Sequence, residues 1–493
     1  MKSISWFIIG SFGLIFILLP NSSPFIEIPY NSKRIFQVGF LFLMAFQIGL
    51  SKKYFTHFRV EWEAIPKKLK FIIYIIGTLG FISALQAEFS FYAFVEICVF
   101  ILLLVLVFLL LNWYKQNPDL FLKTIGVILS LMVVLYFIRF SVNYIYNFVY
   151  PDWPVWPSIK FTQMLVHGKP LFPEPFLGFV NQRFLNHLHT WSLPLFALFI
   201  IKIPKQLWAY RTLLYFFTSF WWMLVFASDA RGTMLASLLS LILVAALFRE
   251  RIKQWTMAYL ITFVLGLLSY LFFFKFLLPE GSRTVLTRFD DSSRITLWNN
   301  VLELFKENPL LGAGPMHFAD ISNGFAFAHP HNFYLQILSE WGIISFLLLA
   351  GLFIYLFSKW FIKSYESELE GNVLLVQTAL TASLSAGFMH SFVSGLFHTP
   401  LSQLMAAIVI AWSIGFYQLH FKNNPVNKTL DVKKLILKSR ISRAFLISVA
   451  MFVLIATYKS YKDLPESREK YILQENTARF SPRFWDHGNI GLD

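Results

Sequence analysis

The sequence has little cysteine and little charge for its length. Its 493 residues include one cysteine, Cys98, and charged residues make up 14% of the chain, compared with about 25% in soluble proteins. One thiol excludes a disulfide within the chain and a metal cluster held by several cysteines. Together with 57% hydrophobic residues, so little charge is typical of an integral membrane protein.

Motifs of soluble catalytic domains are absent as well. The sequence contains no GxGxxG, no GxxxxGK followed by Ser or Thr, and no HExxH, so it lacks the usual phosphate-binding loops and the zinc-protease motif. Nucleotide-driven transport by this chain is therefore not expected. The net charge of +15 comes from short basic clusters between apolar runs, which indicates membrane topology and no nucleic-acid partner.

What the sequence does contain is a series of long apolar runs. A helix needs about 20 apolar residues to cross the hydrocarbon core of a bilayer. The runs predict an all-α fold, a polytopic transmembrane helical bundle of about 12 to 13 spans surrounded by membrane lipids. The runs are Trp6 to Leu19, Ile35 to Leu50, Phe71 to Leu85, Phe89 to Leu111, Leu120 to Phe140, Thr190 to Ile203, Trp208 to Phe226, Gly232 to Phe248, Trp255 to Leu278, Ile343 to Ile362, Val373 to Met389, Leu401 to Tyr417 and Ala444 to Tyr458.

Basic residues at the ends of these runs predict the orientation. Lys and Arg near span ends are retained in the cytoplasm, and here they cluster at 52–70, 202–211, 249–253 and 422–443, each after an even-numbered run. We therefore expect an inner-membrane protein with its N-terminus in the cytoplasm. The same alternation places the longest connecting loops in the periplasm.

The runs divide the chain into parts, of which one loop stands out. A connection of about sixty residues between membrane helices is expected to be functional. Within it, apolar residues recur at helical spacing among polar ones over 292–307, which predicts an amphipathic helix on the membrane surface. The predicted apolar stripe consists of Ile295, Trp298, Val301, Leu302 and Phe305. The parts are N-terminal transmembrane helices (1–140), a periplasmic loop (141–189), transmembrane helices (190–278), a large periplasmic catalytic loop (279–342), C-terminal transmembrane helices (343–458) and a tail expected in the periplasm (459–493).

Four arginines lie at or beyond the outer ends of predicted spans. Arg231 lies where one span ends and the next begins, and a guanidinium at that depth is costly unless it pairs or faces water. Arg283, Arg288 and Arg294 follow in the long loop, with Arg294 in the first turn of the predicted helix. Guanidinium groups bind phosphate oxygens in bidentate fashion. An anionic ligand is expected here, with pairing to Asp229 or contact with lipid headgroups as the alternatives.

A histidine precedes the helix that ends this loop. The unperturbed pKa of a histidine is about 6.5, so His331 can be neutral at periplasmic pH and act as a general base. A structural histidine at a helix start is the alternative. His329 and His331 have no carboxylate or cysteine at ligand spacing, so neither a metal nor another cofactor is expected.

Other polar residues gather near the same outer ends. They are candidates for substrate binding in a hydrated cleft, and ordinary loop solvation is the competing explanation. They are Arg139, Arg183, Asn332, His390 and Gln403.

Three motifs in the second half of the chain combine these candidates. In two of them an arginine lies at a helix boundary, and in the third a histidine does. The motifs are Ser-Asp-Ala-Arg231-Gly at a span boundary, Arg294-x-x-x-Trp298 leading into Asn308-Pro309-Leu-Leu-Gly312-Ala-Gly314, and His331-Asn332 followed by nine residues and Gly342.

Together the motifs resemble those of the bacterial O-antigen ligases and their relatives, the O-antigen polymerases and O-linked oligosaccharyltransferases. The resemblance covers roughly 208–417, and Ser345 stands where the ligases have a second glycine. It implies transfer of a glycan from undecaprenyl pyrophosphate at the periplasmic face, without metal or nucleotide. By this resemblance Arg231 and Arg294 would hold the donor pyrophosphate, and His331 would deprotonate the acceptor hydroxyl.

Three acceptors are compatible with this resemblance. A ligase would use the lipid A core, an oligosaccharyltransferase a Ser or Thr of a protein such as a pilin, and a polymerase another lipid-linked repeat. From a different class, the chain could be a non-enzymatic flippase or transporter of lipid-linked glycan. Such proteins carry ionisable residues at mid-membrane depth, whereas the polar groups here collect at one face.

Overall fold

The computed structural model of the chain describes residues 2–20, 29–149, 179, 182–228, 230–276, 294–320, 327–421, 439–475, 482–488 and 490–491. Within these ranges the chain is helical apart from turns and one isolated β-bridge between Asp320 and Ile490. The all-α fold predicted from the apolar runs is confirmed. The α-helices are α1 (Lys2–Phe12), α2 (Pro29–Leu50), α3 (Lys52–Glu63), α4 (Lys67–Gln86), α5 (Ser90–Gln116), α6 (Pro118–Val149), α7 (Gln182–Lys202), α8 (Trp208–Ala227), α9 (Arg231–Phe248), α10 (Lys253–Leu271), α11 (Arg294–Glu307), α12 (Phe333–Tyr365), α13 (Gly371–His390), α14 (Pro400–His420) and α15 (Ser439–Glu475).

Ten helical stretches in the described ranges are long and apolar enough to cross a membrane. The chain is thus a multi-pass membrane protein, as predicted. The difference from about thirteen runs has three sources. The stretch Arg231–Phe276 contains both α9 and α10, the first run forms a shorter apolar helix at Trp6–Leu18, and α8 is not among the ten.

Helix α7 lies at the centre of the bundle. Every residue from Phe184 to Ile200 is buried, including the polar residues Asn186, His187 and His189. A buried polar group needs a hydrogen-bond partner, so the first turns of α7 face other polar residues of the protein and not lipid. The apolar run predicted only the second half of this helix, because its first half is a polar surface inside the bundle.

Two glycines allow the loop after α11 to pack directly on α12. Gly342 has a φ of +76° and interrupts the helical conformation within α12, and Gly312 has a φ of +74°. A Cβ on Gly342 would lie 2.2 Å from the carbonyl oxygen of Leu310, so no larger residue fits. The backbone of the loop is bonded along this contact: Ala313 N donates to Ser339 O at 2.9 Å and Ile343 N to Pro309 O at 2.9 Å. Two of the sequence motifs therefore form one structural unit.

Helix α11 confirms the amphipathic helix predicted over 292–307, although its buried face differs from the predicted apolar stripe. Leu297, Val301 and Leu304 are buried in a small cluster with Phe318. Ile295, which was predicted to belong to the apolar stripe, is exposed. The helix has apolar residues on both sides, and the loop after it covers only one of them.

Candidate functional site

His331 is held in an unusual backbone conformation immediately before α12. Its φ is +53°, in the left-handed region that few residues other than glycine adopt. Asn332 caps the helix, because its side-chain oxygen accepts hydrogen bonds from Tyr334 N and Leu335 N at 3.0 and 3.1 Å. Such an outlier, held by its surroundings, is characteristic of functional sites.

The imidazole of His331 is buried beside an arginine and a second histidine. Nη1 of Arg183 lies 3.4 Å from Nε2 of His331. The backbone N of His331 donates to Nδ1 of His329 at 3.2 Å. Burial lowers the pKa of His331 well below its usual value, and the positive charges of Arg183 and Arg294 lower it further. His331 is therefore a neutral imidazole at neutral pH.

His329 and His398 pack behind His331. The rings of His329 and His398 are 5.1 Å apart between centroids. Burial, followed by the charge of Arg483, lowers the pKa of His329 to about 3, and burial also lowers the pKa of His398. A Cβ on Gly395 would lie 2.7 Å from the His329 ring, so this glycine lets the loop before α14 approach the histidines. His329, His331 and His398 form a histidine cluster that is tightly packed and neutral at neutral pH.

A second polar group links α7 to α13. Thr190 Oγ1 lies 2.7 Å from Nδ1 of His390, and Nε2 of His187 lies 2.7 Å from Ser394 Oγ. The rings of His187 and His390 are in edge contact, with 5.5 Å between their centroids. Gly232, the residue after Arg231, packs against the ring of His390. The start of α9 therefore lies against the same polar surface of α7.

Three of the predicted arginines lie at helix starts. Arg231 is the first residue of α9, Arg294 is the first residue of α11, and Arg183 is the second residue of α7; all three side chains are half-buried. The structure brings Arg183 and Arg294 close enough to His331 for their charges to affect it. Helix N-termini also attract anions. Arg283 and Arg288 lie outside the described residues.

The remaining predicted residues have partners within the protein. Oε1 of Gln403 accepts from Arg34 at 2.9 Å, and its Nε2 donates to Phe397 O at 2.7 Å, which favours a structural role. Arg139 donates to Pro20 O at 3.1 Å. Substrate binding by Arg139, Asn332, His390 and Gln403 stays a prediction.

Sequence reasoning missed two arginines, Arg34 and Arg483. Arg34 is buried in α2, where it donates to Gln37 at 2.7 Å and to the carbonyl of His398 at 2.6 Å. A charged residue within a span is a signal by itself, but the apolar run began one residue later. Arg483 lies in the tail, where nothing in the sequence pattern indicates that its side chain is buried.

One grouping of the described residues has the composition of a metal site. Glu88, His317 and Asp320 place their ligand atoms within 4.8 Å of one another. Neither His329 nor His331 belongs to this group, so it is separate from the cluster described above.

Comparison with known proteins identifies the same part of the chain. A model of the O-antigen ligase family matches residues 214–350. A curated O-antigen ligase from Pseudomonas aeruginosa is 35% identical over 106 residues, which are 21% of this chain and 25% of that protein. The chain thus matches about a quarter of that relative's length. No solved structure matches the chain. The family match includes Arg231, Arg294 and His331, and the predicted resemblance is confirmed.

Proposed function

We propose that the chain is a glycan transferase that moves an oligosaccharide or polysaccharide from undecaprenyl pyrophosphate to an acceptor hydroxyl at the periplasmic face of the inner membrane. The observation that carries this proposal is a neutral, buried His331 in contact with Arg183 and near Arg294. These residues lie in or beside the region matched by the O-antigen ligase family. The reaction needs a base and a site for a diphosphate, and this arrangement offers both.

In this mechanism Arg183, Arg231 and Arg294 bind the donor pyrophosphate. A pyrophosphate on Arg183 draws its guanidinium away from Nε2 of His331, 3.4 Å distant. The anionic donor also offsets the positive charges that lower the pKa of His331, so donor binding makes the imidazole a stronger base. The donor thereby prepares the base for the acceptor.

Transfer then follows in one displacement. Nε2 of His331 takes the proton of the acceptor hydroxyl while its oxygen attacks the anomeric carbon of the glycan. The bond from that carbon to the pyrophosphate oxygen breaks, and the electron pair leaves with undecaprenyl pyrophosphate. The arginines stabilise the charge of the leaving group, and the imidazolium later releases its proton to water.

His331→Asn tests the base directly. Asparagine tolerates the left-handed conformation that His331 adopts better than alanine does, so folding should be retained. A general base contributes about 10²- to 10⁴-fold, and we expect kcat with purified lipid-linked donor to fall by about 100-fold or more. The matched control is His57→Asn on α3, outside the site, which should transfer like wild type. Wild-type activity in His331→Asn would rule out this base.

The acceptor class separates the members of the proposed family. As acceptors, we rank the lipid A core and a Ser or Thr of a pilin-like protein about equally, and a growing lipid-linked glycan third. Profiling the glycans of both lipopolysaccharide and pilin in a deletion strain distinguishes them. Loss from lipopolysaccharide supports a ligase, loss from pilin an oligosaccharyltransferase, and shortened chains a polymerase. Donor trapped on the cytoplasmic leaflet would contradict all three and favour a flippase.

A further inference from the structure

The tail segment 482–488 lies inside the protein, behind the histidine cluster. All seven of its residues are buried, and the side chain of Arg483 is 1% exposed. The guanidinium of Arg483 meets the carboxylate of Glu340 on α12 in a bidentate pair, with distances of 2.5 and 2.6 Å. It also lies 3.1 Å from the carboxylate of Glu96 on α5. The segment therefore brings a buried cation to one buried carboxylate, Glu340, and one half-buried carboxylate, Glu96.

Helix α2 fixes the backbone of this segment. Tyr30 OH donates to Arg483 O at 2.6 Å, and Arg34 donates to the carbonyl of Phe484 at 3.1 Å. Asn31 donates to Asp486 at 2.7 Å. These bonds hold the segment independently of the pair with Glu340, so the Arg483 side chain extends from a fixed point.

Arg483 contacts the chain on both sides of His331. On the N-terminal side, Nη1 of Arg483 lies 3.3 Å from the carbonyl oxygen of Ala328, which precedes His329. On the C-terminal side, Arg483 pairs with Glu340, nine positions after His331. The arginine thus spans the short segment that presents the proposed base.

A chain of polar contacts runs from Glu340 back to the base. Oε2 of Glu340 accepts from Gln336 Nε2 at 3.0 Å, and Gln336 Oε1 bonds to Nε2 of His398. His398 packs on His329, whose Nδ1 accepts from the backbone N of His331 at 3.2 Å. A shift of Glu340 would therefore be transmitted to His331 through packed side chains.

We propose that Arg483 is a positioning residue: it fixes Glu340 and Ala328, and through them the backbone and ring of His331. This inference rests on the proposed role of His331 as the base. It assigns the tail segment 482–488 an indirect part in the active site. A purely structural role would instead change the amount of folded protein and leave the activity per folded molecule unchanged.

The test compares variants of Arg483 in the full-length protein. Arg483→Met alone leaves the buried carboxylate of Glu340 without its partner, which endangers folding. The double variant Arg483→Met with Glu340→Gln removes both charges of the fully buried pair and leaves only the partly exposed carboxylate of Glu96 without its cation. For this variant we expect normal abundance, a donor KM within about twofold of wild type and a kcat lower by about 10- to 100-fold, because displacement of a catalytic group by about 1 Å has effects of this size.

Two further variants complete the set. Arg483→Lys keeps the charge and should recover part of the lost kcat, although a point charge cannot reproduce the bidentate pair. Lys470→Met removes an exposed cation of the same tail region, on α15, and should behave as wild type. A double variant with wild-type kcat, or a Lys470→Met protein with an equal loss, would overturn the proposal.

Hydrogen exchange separates this proposal from the proposed function. In the double variant, amides of residues 328–340 should exchange faster than in wild type, while those of α14 should not change. If the wild-type protein shows no transfer, the proposed function fails, and the exchange result alone decides whether Arg483 holds this segment. Unchanged exchange over 328–340 would overturn the positioning role whatever the activity.

Discussion

The position of His331 before a helix could be predicted from the sequence, but its contact with Arg183 could not. The sequence indicated a histidine before a helix and an arginine at each of two helix starts, because helix boundaries are local features. It could not indicate that Arg183 lies 3.4 Å from Nε2 of His331, since these residues are 148 positions apart. Local patterns therefore predicted candidate residues, and tertiary packing determines which of them lie together and how they are protonated.

The buried histidines should make stability depend on pH. The pKa values of His329, His331 and His398 are lowered in the folded protein, whereas an unfolded histidine titrates at about 6.5. The unfolded state therefore binds more protons below that pH. The stabilisation is complete above about pH 6.5 and is lost on acidification, by up to about 1.4 kcal/mol per pH unit for each histidine.

The measurement is the apparent melting temperature of the protein in lipid nanodiscs between pH 8 and pH 5. We expect a plateau above about pH 6.5 and a steep fall below it. His329→Gln should make the fall shallower, because one group that cannot take up a proton in the folded state is removed. An unchanged melting temperature across this range would contradict the neutral cluster.

At the scale of elements, the loop after α11 and the kink in α12 form one unit. The sequence indicated both glycine-containing motifs and the turn between them. Their direct contact was not predictable, because it depends on φ values of +74° and +76° at Gly312 and Gly342 that only the folded chain reveals. The same unit supports Glu340, whose carbonyl oxygen accepts from Gly314 N at 3.0 Å. The shape of this loop therefore bears on the site as much as its side chains do.

Gly342→Ala should disrupt this unit. The added Cβ would lie 2.2 Å from Leu310 O, and the left-handed φ strains any other residue. We expect a severalfold loss of folded protein in the membrane, measured by fluorescence-detected size-exclusion chromatography. Gly351→Ala on the same helix is the matched control, because no atom lies within 4 Å of its Cβ; it should be neutral or slightly stabilising. Equal abundance of the two variants would show that the kink is dispensable.

At the scale of the whole molecule, the tail and the histidine cluster lie at the same end of the bundle. Segment 482–488 is bonded to α2 and α12 beside that cluster. Helix α15 has 37 residues, about 55 Å at 1.5 Å per residue, which is long enough to cross a bilayer. The number of spans predicted from the apolar runs decides the side of the tail, because one span fewer would reverse it. Because of this packing the tail lies on the same side as the histidine cluster, so the prediction for its side no longer depends on that count.

Labelling of single cysteines tests this arrangement in cells. In a Cys98→Ser background, Glu303→Cys on α11 and Lys470→Cys on α15 lie at exposed positions, and Lys68→Cys lies in a basic cluster predicted to be cytoplasmic. A membrane-impermeant maleimide should label the first two in intact spheroplasts and the third only after permeabilisation. The two outer positions must behave alike, since Arg483 and Asp486 tie the tail to the same end of the bundle. Labelling of Lys68→Cys alone in intact spheroplasts would show the opposite orientation and would overturn the periplasmic site. Labelling of only one of the first two positions would contradict the docked tail.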